Sequence, residues 1–192
     1  LAKLSSAIVA SAAGIDNIAI KDNIVDATGT PPNPAGILTY GLRNAISINY
    51  GDYRTATNGV NSITATGNTV NGNGANSFRS GIAVDEGGGT FTGNNIQSIN
   101  QDIQVRFGSN GDVNVSNNTI RGGGIELAEH NSGAGNYTVN NNTFDGAFGS
   151  TYTSALRLKN NTNAKQTTVS GNTFTGHNWG ISLENYQAVT VS

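Results

Sequence analysis

The chain repeats one phrase about every two dozen residues, and this repetition constrains its fold more than any other feature. One half of the phrase is a short apolar strand of the form Gly-Ile-x-Leu, as at 124–127. The other half has the form Val-x-Val-x-x-Asn-Thr-Ile, as at 113–120. Its recurring Asn marks the repeat spacing and occupies six positions: Asn23, Asn68, Asn94, Asn118, Asn142 and Asn172.

Inside each repeat, apolar and polar residues alternate, as in Val113-Asn114-Val115 and Ile125-Glu126-Leu127. A period of two predicts short strands with one buried face. Because no segment holds a helical period, we expect two or three strands per turn of a coil, with successive coils stacked about 4.8 Å apart. The prediction is an all-β fold of about 6–7 coils in one domain over 1–192, without substantial helix.

The Asn column predicts a structural ladder. Asn tolerates the left-handed backbone region that a sharp corner requires. Its amide can also donate to and accept from the equivalent Asn one coil above and below. We therefore expect Asn23, Asn68, Asn94, Asn118, Asn142 and Asn172 to lie at equivalent corners of the coil, stacked in one file.

The repeated phrase resembles the right-handed parallel β-helix repeats of the pectate-lyase-like superfamily and of related carbohydrate-processing and surface proteins. The resemblance extends over nearly the whole chain, from about 7 to 192, and implies a right-handed coil. The superfamily includes lyases, hydrolases, epimerases, tailspikes, adhesins and structural rods, so the resemblance indicates the fold and no single activity.

Composition and charge limit the partners, cofactors and location that we expect. The net charge of −2 gives no reason to expect nucleic acid as a partner, and no apolar run is long enough to insert into a membrane. The absence of Cys excludes a disulfide or thiolate–metal framework. No metal or cofactor is expected. An uncharged surface rich in Asn and Thr favours an extracellular or cell-surface location.

The longest interval in the repeat, between Asn23 and Asn68, contains a Tyr-rich insertion or degenerate coil at about 40–60. Whether 24–67 is one coil or two stays open at this point. An aromatic and arginine cluster could stack on a sugar ring or form a contact patch, and a packed loop is the alternative. The candidate interface residues here are Tyr40, Arg43, Tyr50, Tyr53 and Arg54.

Stacking of the Gly-Ile strands predicts outward columns of alternating charge. In these columns Asp85 lies beside Arg106, Glu126 beside Arg157, and Lys159 beside Glu184. Cross-strand ion pairs of this kind are typical of a solvated sheet face. Lyases with the fold that this repeat resembles use calcium-binding Asp together with a basic Arg or Lys. The enzymatic alternative therefore places four residues in a groove for an acidic sugar: Asp85, Arg106, Glu126 and Arg157. A column of three carboxylates is missing, and we predict that no catalytic residue is needed.

A second outward column carries small hydroxyl and amide groups, beginning with Thr64, Thr66, Thr90 and Thr92. A flat, uncharged strip of this kind resembles ice-binding faces of β-solenoids. A solvated sheet or a contact with a neighbouring rod are the other interpretations.

The two ends of the chain are in similar phase. The segment 188–192 aligns with 112–116, and Ala7-Ile8 aligns with Gly124-Ile125. Neither end has an obvious cap, and uncapped coils leave strand edges ready to pair. The sequence therefore predicts self-association head to tail through the terminal coils, as a structural or adhesive subunit or segment of a filament or long surface rod. A polysaccharide-binding or polysaccharide-cleaving domain is the alternative, with glycans as partners.

Overall fold

The computed structural model describes residues 6–10, 17–26, 44–48, 60–72, 80–85, 87–97, 101–106, 112–128, 135–146, 154–159, 166–184 and 188–192. In this part of the chain the regular elements are short β-strands, arranged in three sheets.

The first sheet has seven strands. In spatial order these are β1 (Ser6–Ala10), β4 (Asn44–Ile48), β7 (Ser80–Asp85), β10 (Gln101–Arg106), β13 (Ile125–Ala128), β16 (Ser154–Lys159) and β19 (Trp179–Glu184). The second sheet also has seven strands. These are β2 (Asn17–Lys21), β5 (Val60–Thr66), β8 (Gly87–Thr92), β11 (Val113–Ser116), β14 (Asn136–Asn140), β17 (Gln166–Ser170) and β20 (Val189–Val191).

The third sheet has six strands. These are β3 (Ile24–Asp26), β6 (Thr69–Asn71), β9 (Asn95–Gln97), β12 (Thr119–Arg121), β15 (Thr143–Asp145) and β18 (Thr173–Thr175). Every pair of neighbouring strands is parallel, and each strand pairs with the one that lies three elements further along the chain. The chain is therefore a parallel β-solenoid, as the repeat predicted, and it has three strands per turn where the sequence left two or three open. Its right-handedness stays a prediction.

Inward side chains stack into apolar columns along the axis. One column passes from Ile20 through Phe91 and Val139 to Val191, following the register of the second sheet. Its members between the terminal coils are almost completely buried. In the third sheet the rings of Phe144 and Phe174 stack with their centroids 5.0 Å apart. Each coil thus buries its apolar face against its neighbours, which is how a solenoid gains its stability.

The corner geometry differs from the prediction in one respect. The residue in the left-handed region is not the ladder Asn but the residue before it. Asp22, Asn117 and Asn141 hold this position with φ near +55°, and Gly takes the same position in the other coils, as at Gly67. The left-handed turn favours Asn, Asp or Gly at the outer corner, while the following Asn turns its side chain inward.

Between Asn23 and Asn68, the described residues contribute one strand to each sheet: β3, β4 and β5. The position in the first sheet belongs to β4, whose Ile46 pairs with Ile82 of β7. Residues 36–37, which match the Gly-Ile phrase in sequence, lie outside the described residues. So does most of the Tyr-rich segment at 40–60.

Candidate functional site

The buried Asn file is confirmed as a continuous hydrogen-bonded ladder. The side-chain Nδ2 of each Asn donates to Oδ1 of the next, over 2.9–3.0 Å from Asn23 to Asn172. The backbone N–H of each Asn donates to that same Oδ1, over 2.9–3.1 Å. Asn68, Asn94, Asn118 and Asn142 are at most 1% exposed. These buried amides are stable because both halves of each are paired.

The ladder has a direction. At Asn118, Oδ1 accepts two bonds from Asn94, while Nδ2 donates forward to Asn142 and backward to the carbonyl oxygen of Phe91. At the C-terminal end, Nδ2 of Asn172 donates instead to the carbonyl oxygens of Val139 and Ser170. The bonds from one Asn side chain to the next therefore all point towards the C-terminal coil, and with its backward bond to a carbonyl oxygen the side-chain amide of Asn118 bridges three coils.

A network of four charges lies on the outer face of the first sheet. Arg157 contacts Glu126 on one side, with Nη1 3.3 Å from Oε2, and Glu184 on the other, with Nη2 2.6 Å from Oε1. Lys159 lies 3.7 Å from Glu184. The predicted pairs Glu126–Arg157 and Lys159–Glu184 are thus confirmed. The diagonal bond from Arg157 to Glu184 was not predicted, because it links adjacent columns and not adjacent rungs of one column.

The two carboxylates of this network differ in burial. The Glu126 side chain is 8% exposed, and that of Glu184 is 39% exposed. The hydrogen bond from Arg157, together with the positive charges of Arg157 and Lys159, lowers the pKa of Glu184 below its ordinary value. The network balances two acids with two bases, so Arg157 is already neutralised by protein carboxylates. This arrangement suits a structural clamp across β13, β16 and β19 better than capture of an anionic sugar.

The other residues proposed for the enzymatic alternative are only partly described. Asp85 pairs in register with Arg106 on the neighbouring strand, and Arg106 pairs with Ala128. The side chains of Asp85 and Arg106 lie outside the described part, as do Tyr40, Arg43, Tyr50, Tyr53 and Arg54. In the described ranges, no group of three or more His, Cys, Asp or Glu is arranged to hold a metal ion.

The Thr and Ser strip lies on the outer face of the second sheet. Thr64 pairs with Thr90, and Thr66 with Thr92, so the four residues form two adjacent columns at the solvent side. Thr92 and Ser116 place their hydroxyl oxygens 3.5 Å apart. The column arrangement is as expected. Ice binding stays a prediction, which a thermal-hysteresis measurement on the wild type and on Thr92→Tyr would test.

The C-terminal end of the solenoid exposes the apolar columns. Among the described residues, four large apolar side chains are exposed, and three of them lie on β19 and β20: Trp179 at 63%, Leu183 at 50% and Val191 at 57%. Phe174, Ile181 and Val189 are partly buried beside them. We call these six residues the open end. Several exposed apolar side chains on one terminal coil, with a Trp among them, have the character of an interface.

Comparison of the chain with protein-family models, with curated proteins and with solved structures gave no match in any of the three. The fold and the ladder define the class of protein: a parallel β-solenoid stabilised by an internal asparagine ladder. Its place in the pectate-lyase-like superfamily stays a prediction. In the described residues, no helix has the length and hydropathy needed to cross a bilayer.

Proposed function

We propose that the chain is a structural or adhesive β-solenoid of an extracellular or cell-surface rod, and that copies stack head to tail. The open end is the observation that carries this proposal, since Trp179, Leu183 and Val191 leave apolar side chains in water at the edges of two sheets. Burial of such side chains is worth about 1.5–3 kcal/mol each, enough to drive association when edge strands pair as well.

The columns supply a matching partner surface. A second copy that continues the register would pair its β1 with β19 and its β2 with β20. Ile20 belongs to the column that ends at Val191, and Ile8 belongs to the column of Ile181. Apolar residues would therefore meet apolar residues in these two columns. A contact between two different surfaces of the same chain is heterologous and extends into an open filament.

The buried interior supports a mechanical role. The described strands bond only to parallel neighbours, and the ladder links each coil to the coils on both sides. Such a coil resists separation along its axis because each of the four inner ladder amides, from Asn68 to Asn142, has partners in both neighbouring coils. The charged network on the first sheet adds a second link across β13, β16 and β19.

Sedimentation velocity over a range of protein concentrations tests the proposal. The wild-type chain should form progressively larger species as its concentration rises. Leu183→Lys places a charge on the open end and should raise the concentration needed for association by at least about tenfold. Because Leu183 is half exposed, circular dichroism should show that the variant keeps the fold.

Ile24→Lys is the matched control. Ile24 lies in the N-terminal coil, but it is 76% exposed and points outward from β3, so it does not belong to the apolar columns that stacking would join. It should associate like the wild type. A wild type that stays monomeric at every concentration would contradict the proposal. Assembly that stops at dimers would contradict the head-to-tail arrangement and indicate contact between two open ends.

A further inference from the structure

His177 lies in the turn between β18 and β19, two residues before Trp179 of the open end. Both of its ring nitrogens face carbonyl oxygens. Nδ1 lies 3.0 Å from the carbonyl oxygen of Thr175, and Nε2 lies 2.7 Å from that of Gly123. The first contact is local, whereas the second joins residues 54 positions apart. The ring therefore ties the turn before β19 to a distant corner of the solenoid.

The contact with Gly123 spans a whole coil. Gly123 follows β12, Gly146 follows β15, and His177 follows β18, so these three positions belong to three successive corners. A Cβ at Gly146 would lie 2.8 Å from Nδ1 of His177, closer than side chains approach one another. Such a Cβ would also lie 2.6 Å from the carbonyl oxygen of Gly176, so the absence of a side chain at Gly146 leaves room both for the backbone of the turn and for the ring of His177.

A neutral imidazole ring cannot donate a hydrogen bond to both carbonyl oxygens. Neutral imidazole has one N–H and one nitrogen lone pair, so it donates to one carbonyl and turns its lone pair towards the other. Imidazolium donates from both nitrogens and satisfies both contacts. The charged groups on the described strands beside it are Arg121 and Asp145, one of each sign, in the outer column that leads to Thr175.

We infer that His177 is a proton-dependent latch that fixes the start of β19 and with it the position of Trp179 in the open end. In acid, both hydrogen bonds hold the turn against Gly123. At alkaline pH, one bond is lost and the first residues of β19 loosen. The effect of His177 on the stacking of copies rests on the proposed function. Its effect on the start of β19 does not.

Amide hydrogen exchange of the dilute, monomeric full chain tests the latch. Protection factors of β19, corrected for intrinsic exchange rates, should fall about tenfold between about pH 5.5 and pH 8 in the wild type, the change expected for loss of one charge-assisted hydrogen bond. His177→Gln keeps an amide donor that does not titrate, so its protection should not change with pH. Asn178→Ser, a neighbouring exposed substitution, should keep the wild-type profile.

A wild-type profile that is flat, or one that His177→Gln retains, would overturn the latch. Sedimentation at the same two pH values separates the two proposals. If the protein concentration at which association begins rises with pH in the wild type but not in His177→Gln, both the latch and the stacking proposal are supported. No association at either pH, with pH-dependent protection, leaves the latch standing and removes the stacking proposal. Association with flat protection removes the latch alone.

Discussion

The two ends of the solenoid are built from the same repeat, yet they differ in how far their interior is covered. Ile20 in the N-terminal coil and Val191 in the C-terminal coil belong to one column of the second sheet, and they are 7% and 57% exposed. In the third sheet, Val25 is 8% exposed, whereas Phe174 is only partly buried. Side chains at equivalent positions of a repeat thus contribute differently to stability, depending on whether a coil covers them on both sides or on one. The comparison shows that the column is covered at Ile20 and exposed at Val191.

The ladder gives the largest expected contrast. Asn118→Ala should lower the free energy of unfolding by about 3–5 kcal/mol, because it removes the acceptor of the buried N–H of Asn94 and a donor to the carbonyl oxygen of Phe91. Asn172→Ala removes the same kinds of bond from a less buried position and should cost about 2 kcal/mol. Asn23→Ala should cost less than about 1 kcal/mol, because its backbone N–H still donates to Asn68.

Urea denaturation of the three variants measures this gradient along the ladder. Asn114→Ala is the control, since Asn114 is exposed on the outer face of β11 and its loss should change stability by no more than about 0.5 kcal/mol. Equal losses at Asn114 and Asn118 would show that the amide file does not stabilise the fold.

Alanine substitutions at the two ends of the shared column of the second sheet compare the stability contributions of those ends directly. Ile20→Ala should destabilise by about 2–4 kcal/mol, because it empties a buried site. Val191→Ala should cost less than about 0.5 kcal/mol in the monomer, because its side chain is already largely in water. Thermal and urea unfolding at a concentration below the onset of association provide both values. Similar losses at the two positions would remove the distinction between the ends.

Substitutions at the corners near the two ends should have similar effects on stability. Gly67 and Gly171 both have φ above +60°, and a Cβ at either would collide with a side-chain oxygen of the preceding corner, from Asp22 or Asn141. Ala at each position should cost about 1–2 kcal/mol. Gly93 has the same backbone conformation but open space around it, so Gly93→Asn should be nearly neutral. Unfolding midpoints that differ strongly between Gly67→Ala and Gly171→Ala would contradict the equivalence of the corners.

The smallest effect concerns pH. The pKa of Glu184 is lowered in the folded state by its hydrogen bond to Arg157, from an ordinary value of 4.5. Glu184 therefore stabilises the C-terminal coil above that value, and the contribution is lost as the pH falls through the lowered pKa. The urea midpoint between pH 6 and pH 3 should fall slightly more for the wild type than for Glu184→Gln. The effect is small because both partners are partly exposed. Identical profiles would show that the pair contributes nothing.

Much of this architecture could be predicted from the sequence. Alternation at Val113–Val115 and the Asn spacing gave the strands, the parallel stacking and the ladder, because those depend only on the period of the repeat. The position of the left-handed residue could not be predicted, since Asn occurs both at Asn117 and at Asn118 and only their backbone angles separate them. The diagonal bond from Arg157 and the reach of His177 to Gly123 depend on side-chain direction and on the room at Gly146, which the period does not encode.

The central claim is that the open end is completed by another copy of the chain. Electron microscopy of the purified protein at high concentration tests it most directly. We predict unbranched filaments with an axial repeat of about 34 Å, the height of seven stacked strands at about 4.8 Å each. We also predict that Leu183→Lys forms none under the same conditions. Single particles of one chain at every concentration, for the wild type, would contradict the claim.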